Sequence, residues 1–127
     1  MLRDPATGWF PHYVGYPEER GTGAGAGANR NLPLRPGVED GPWLAAIEQL
    51  CNEARDHGAD ALVVSLGVDT AAEDYDSFQL VGDDFTRLGR AIGALSLPTV
   101  LVQEGGYDLG VIGRNVANVL RLSLIHI

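Results

Sequence analysis

Ala61-Leu62-Val63-Val64-Ser65-Leu66-Gly67-Val68-Asp69-Thr70 and Thr99-Val100-Leu101-Val102-Gln103-Glu104-Gly105-Gly106-Tyr107 are short, apolar and rich in β-branched residues. That is the composition of strands buried in a parallel sheet. Each run ends by delivering a polar side chain where the chain leaves the sheet, the edge at which open α/β folds place their chemistry. An Asp there is a ready oxygen ligand for a metal. A Tyr after two glycines can bring its hydroxyl to a substrate without backbone crowding. Asp69 and Tyr107 are therefore expected at one edge of one sheet.

Working outward, Trp43, Ile47, Leu50, Cys51 and Ala54 recur at helical spacing behind Pro42, read as the first helical residue, and Gly58 ends the helix. A second helix is expected from about Asp83 to Leu95, with Phe85, Leu88, Ile92 and Leu95 on one face and Pro98 after it. A third, over about 110–121, turns Ile112, Val116 and Val119 inward. The alternation α-β-α-β-α implies parallel strands with right-handed crossovers. Residues 1–41 read as loop, because prolines at 5, 11, 17, 33 and 36 and the glycines of 21–27 forbid long helices.

The chain has 127 residues, 45% hydrophobic and 20% charged, which permits one globular domain at most. Two or three parallel strands leave edges bare, so exposed apolar surface and low stability in isolation are expected. The single cysteine excludes an internal disulfide, and no signal peptide or long apolar segment is visible, which favours a cytoplasmic setting without membrane contact. A net charge of −8 repels nucleic-acid backbones and attracts cationic substrates, although plain solubility explains the same charge.

Four segments in one order carry a resemblance: Gly15-Tyr16-Pro17-Glu18-Glu19-Arg20-Gly21, Gly23-Ala24-Gly25-Ala26-Gly27 through Asn31-Leu32-Pro33-Leu34, Ser65-Leu66-Gly67-Val68-Asp69-Thr70, and Gln103-Glu104-Gly105-Gly106-Tyr107. The chain resembles the C-terminal part of the histone deacetylase and acetylpolyamine amidohydrolase superfamily, in its bacterial class II-like and polyamine-type members. The likeness covers residues 4–121. It implies an α/β fold, a partial arginase/deacetylase-type parallel sheet flanked by helices. It also implies a fragment, since the family's Asp-x-His zinc-ligand pair and its His-His pair lie upstream of everything present. The three histidines, His12, His57 and His126, stand in neither context.

The resemblance further implies a zinc-dependent amidohydrolase that releases acetate from acetylpolyamine or acetyl-lysine, its substrate a small cationic acetylated amine or a peptide. On that reading Asp69 is a Zn²⁺ ligand, Tyr107 is the catalytic hydrogen-bond donor to the oxyanion, and Phe10, Gly105 and Gly106 line the substrate channel. Oligomeric state stays open, a homo-oligomeric parent included. The fragment alone is expected to be inactive, and a non-catalytic remnant or interaction module of the same fold is the alternative. A ureohydrolase of the related arginase fold fits less well, because position 71 is Ala where a bridging carboxylate would be wanted. Relatives usually read Gly-Asp-Pro where this chain has Glu73-Asp74-Tyr75.

Plainer roles remain open for several of these residues. Asp69 could cap a turn, Phe10 could be a packed loop aromatic, and Glu104 could orient the Tyr107 loop or face solvent. His57 reads as a C-terminal helix cap and His12 as a surface or channel-rim residue. Gly23 to Ala28 satisfy G-x-G-x-x-A, but no strand precedes them and prolines follow, so a nucleotide loop is not supported. Residues 122–127, Leu-Ser-Leu-Ile-His-Ile, resemble translated sequencing-adapter sequence and are set apart as a non-native tail, with a natural final strand as the other reading.

Overall fold

The computed structural model describes residues 4–8, 12–74 and 78–123, the side chain of Leu122 excepted. Its elements run α1 (Asp40–Asp56), β1 (Leu62–Leu66), α2 (Gly82–Gly93), β2 (Thr99–Gln103) and α3 (Ile112–Ser123). The strands pair in parallel, with Leu62 opposite Thr99 and Leu66 opposite Gln103. The expected alternation is the observed one.

Punctuation explains most of the boundaries. Gly58 adopts φ +76° after His57, and Gly58 N–H and Ala59 N–H bond back to the carbonyls of Arg55 and Ala54 at 2.9 and 3.2 Å. This is a Schellman ending, so His57 does sit at the C-cap. The start of α1 departs from the expectation: the helix begins at Asp40, two residues before Pro42. A proline anywhere in the first turn is tolerated because those N–H groups have no intrahelical partner. Helix α2 is opened by Asp84, whose Oδ2 accepts from Val81 N–H at 2.8 Å. It closes at Gly93, so Leu95 packs from the turn after the helix. Leu122 and Ser123 belong to α3 and not to a strand. Residues 124–127 lie outside the described set.

One hydrophobic cluster joins Trp43 and Leu44 of α1, Leu66 and Val68 of the first strand and its exit, Phe78, Leu80, Phe85, Leu88 and Ile92 around α2, and Val119 of α3. Trp43 and Phe85 meet edge to face at 6.3 Å. Gly89 lets α2 and α3 touch, since a β-carbon there would collide with the Val119 carbonyl. The inward face of α1 is shorter than its periodicity suggests. Trp43, Leu44 and Ala46 are buried, whereas Leu50, Cys51 and Ala54 line a groove of about 340 Å³ with Leu62, Leu88 and Leu95. The helix rests on α2, and its second half faces the first strand across this groove.

Alternate residues of the sheet are bare. Val63 is 70% exposed and its register partner Val100 59%, while Leu62, Val64 and Leu101 pack against the core from the opposite face. Parallel sheets are ordinarily covered on both sides. The expected exposed apolar surface is therefore present on this face.

One carboxylate ties together the residues on either side of the glycine-rich segment. Glu19 Oε2 accepts from Gly15 N–H, Tyr16 N–H and Asn31 Nδ2 at 2.7, 3.1 and 2.9 Å. Asn29 Nδ2 adds a bond to the Glu19 carbonyl at 2.6 Å. Residues 23–25 form a single 3-10 turn, and among the described residues no strand precedes it and no helix directly follows it, as the rejection of a nucleotide loop requires.

Candidate functional site

Both decisive stretches leave the sheet at the same edge, and the ladder continues past the strands. Glu104 N–H donates to the Leu66 carbonyl and Val68 N–H to the Gly105 carbonyl, each at 3.0 Å. Asp69 follows immediately, half-buried, its carboxylate folded between two glycines. A β-carbon at Gly67 would stand 2.8 Å from Asp69 Oδ1, and one at Gly105 would stand 2.7 Å from Asp69 Cγ. Small residues at both positions are thus what let the acid lie against the exit of β2.

Gly106 adopts φ +131°, and a β-carbon there would fall 2.6 Å from Val68 Cγ2. Few residues but glycine accept that conformation. It turns the chain so that Tyr107 emerges 61% exposed. The backbone of that turn is held by Asp74, which is buried and whose Oδ2 accepts from Tyr107 N–H at 2.7 Å and from Asp108 N–H at 3.2 Å. Asp74 drew attention in the sequence only as a departure from the usual Gly-Asp-Pro. Its partners lie 33 and 34 residues further on, so no local pattern announces them.

Among the residues singled out in the sequence, Asp69, Gly105, Gly106 and Tyr107 come together at this edge. Glu104 is exposed beside them. Phe10 lies outside the described residues. His12 and His57 are exposed, and His57 sits at the C-cap of α1. Thr70 Oγ1, adjoining Asp69, is buried without a hydrogen-bond partner.

A tetrahedral zinc centre takes three or four protein ligands. Among the described residues no three His, Cys, Asp or Glu side chains gather into such a set. Asp69 can supply one carboxylate, so the described residues do not make a metal centre by themselves.

Comparison with known proteins identifies the fold and the family. The histone deacetylase domain model matches residues 3–123. The chain belongs to the histone deacetylase domain family. Within the family it is 46% identical over 119 residues to the acetylpolyamine amidohydrolase of Mycoplana ramosa, covering 93% of this chain and 35% of that protein. Acetylpolyamine amidohydrolase 1 of Pseudomonas aeruginosa is 45% identical over 113 residues, 88% of this chain and 33% of the relative. The crystal structure of acetylpolyamine aminohydrolase from Burkholderia pseudomallei superposes with a TM-score of 0.92 at 38% identity, covering 98% of this chain and 36% of that one. The fold is thus that of the histone deacetylase family, and the chain spans about a third of the length of the curated relatives it matches.

Proposed function

We propose that this chain is the part of a zinc-dependent amidohydrolase that supplies one metal ligand and the oxyanion donor for removing acetyl groups from acetylated amines. One observation carries the reading. Asp69 and the Gly105-Gly106-Tyr107 turn leave the sheet at one edge, joined by the 3.0 Å bond from Val68 N–H to the Gly105 carbonyl.

The residues divide the work by their chemistry. Asp69 offers one carboxylate oxygen to a divalent ion, the other ligands coming from outside the described residues. When bound, such an ion supplies Lewis-acid polarisation of the amide carbonyl. Tyr107, an exposed residue, donates its hydroxyl proton as a hydrogen bond to the negative charge developing on that oxygen. Gly105 and Gly106 keep the turn bare of side chains where the amide would lie, and Phe10 is assigned to the channel that receives the amine chain. The products are acetate and a free amine.

The names of the relatives, acetylpolyamine amidohydrolases among them, support an acetylpolyamine or an acetyl-lysine side chain as the substrate class. The net charge of −8 favours a cationic amine over an anionic one. A cytoplasmic setting belongs to the same reading and rests on the lone Cys51, which needs no oxidising compartment.

The test is a chimaera in which residues 4–121 of this chain replace the matched segment of the Mycoplana ramosa enzyme, assayed for acetate release from an acetylated diamine and from an acetyl-lysine peptide. Turnover that depends on Asp69 and Tyr107 supports the assignment; a folded, zinc-loaded chimaera without turnover refutes it. The lack of a three-ligand cluster among the described residues favours a second reading for the chain on its own, a non-catalytic module of the fold.

A further inference from the structure

We infer that Asp74 is a positioning residue for Tyr107, fixing the backbone from which the tyrosine hydroxyl reaches the substrate. The inference rests on the reading of Tyr107 as the oxyanion donor. Tyr107 is 61% exposed, so the turn that carries it matters for its placement. Its backbone is held on both sides. Upstream, the Val68 N–H bond to Gly105 anchors the turn; downstream, Asp108 accepts from Gly110 N–H through Oδ1 at 2.7 Å and from Ile112 N–H through its carbonyl at 3.0 Å. Between these anchors the N–H groups of Tyr107 and Asp108 both point at Asp74 Oδ2.

A carboxylate suits this role because it is acceptor-only when ionised and forms short, charge-assisted bonds to N–H donors. Asp74 is itself held firmly: its N–H donates to the carbonyl of fully buried Ala71 at 3.0 Å, and Ala72 N–H donates to the Leu80 carbonyl at 2.9 Å. Arg114 of α3 reaches the neighbouring Glu73 at 3.4 Å. The stretch from Asp69 to Asp74 therefore governs both chemical groups, carrying one and aiming the other.

A purely structural Asp74 would lower stability without acting through the tyrosine hydroxyl, and a double-mutant cycle in the chimaera separates the two roles. Asp74→Ala is expected to lower kcat by about 10²-fold with KM little changed, the size of a misplaced catalytic group. The same change in a Tyr107→Phe background is expected to cost nothing further. Asp74→Asn, whose amide oxygen still accepts, should recover most of the rate, and amide hydrogen exchange at Tyr107 and Asp108 should quicken in the alanine variant only. Should Asp74→Ala not fold, Asp74→Glu, which displaces the carboxylate by one methylene, runs the same cycle. Additive losses, or unchanged exchange at the two amides, overturn the assignment of Asp74. A Tyr107→Phe variant with undiminished kcat instead overturns the oxyanion reading, and this inference with it.

Discussion

The Asp69 carboxylate occupies the space that a side chain at Gly105 would need: a β-carbon there would lie 2.7 Å from Cγ and 2.8 and 2.9 Å from the two oxygens. The two residues are 36 positions apart in the chain and act as one fitted pair. Gly105→Ala is expected to push the acid out of place. In the chimaera it should lower zinc content, and in either protein it should cost about 1–3 kcal/mol of stability as overpacking does. Metal analysis and urea unfolding read the two effects separately.

Gly106→Ala adds a different penalty. At φ +131° a β-carbon is strained whatever surrounds it, and this one would also meet Val68 Cγ2 and Ile112 Cδ1. Backbone strain of this kind costs on the order of 1–3 kcal/mol. The expected result is a displaced Tyr107, visible as a fall in kcat at unchanged metal content.

Asp69→Ala and Tyr107→Phe should fail in distinct ways in the chimaera. The first is expected to abolish activity together with zinc binding. The second should keep its zinc and lose about 10²–10³ in kcat, the usual cost of one oxyanion donor. Metal content measured beside steady-state kinetics decides between them, and equal zinc loss in both variants would contradict the division of roles.

The 127-residue chain on its own is expected to bind no stoichiometric zinc and to release no acetate. Among its described residues no three His, Cys, Asp or Glu side chains gather into a ligand set. Dialysis against zinc followed by metal analysis, with an acetyl-lysine assay in parallel, provides the check.

Cys51 tests the packing of α1 on α2. Burial pushes its thiol above the ordinary value of 9.0, Arg55 opposes that shift and Glu48 adds to it. The native thiol therefore keeps its proton where an unfolded chain would lose it, and the linked stability falls as pH climbs through the ordinary value toward the raised one. Iodoacetamide near pH 8 should label the folded chain more slowly than the urea-unfolded chain.

The alternation of helices and strands could be read from the residues because most boundaries are punctuated locally. Gly58 and Pro98 act through their own backbone preferences, and the runs 62–66 and 99–103 are apolar and β-branched. The placement of Asp69 and Tyr107 at one edge followed from strand direction alone. Distant partnerships were not legible. Neither the gathering of three donors on Glu19 nor the pairing of Asp74 with Tyr107 leaves a periodic trace, since each joins residues through a single oxygen atom. The half-exposed second half of α1 was missed for a related reason: periodicity reports which residues share a face, not whether anything lies beneath it.

The bare valine face has a consequence for how this chain behaves in solution. A molecule that covered Val63 and Val100 would bind the native state and not the unfolded one, and by mass action would add to native stability as its concentration rose. The unfolding free energy of this polypeptide would then depend on the mixture it is dissolved in as well as on its sequence.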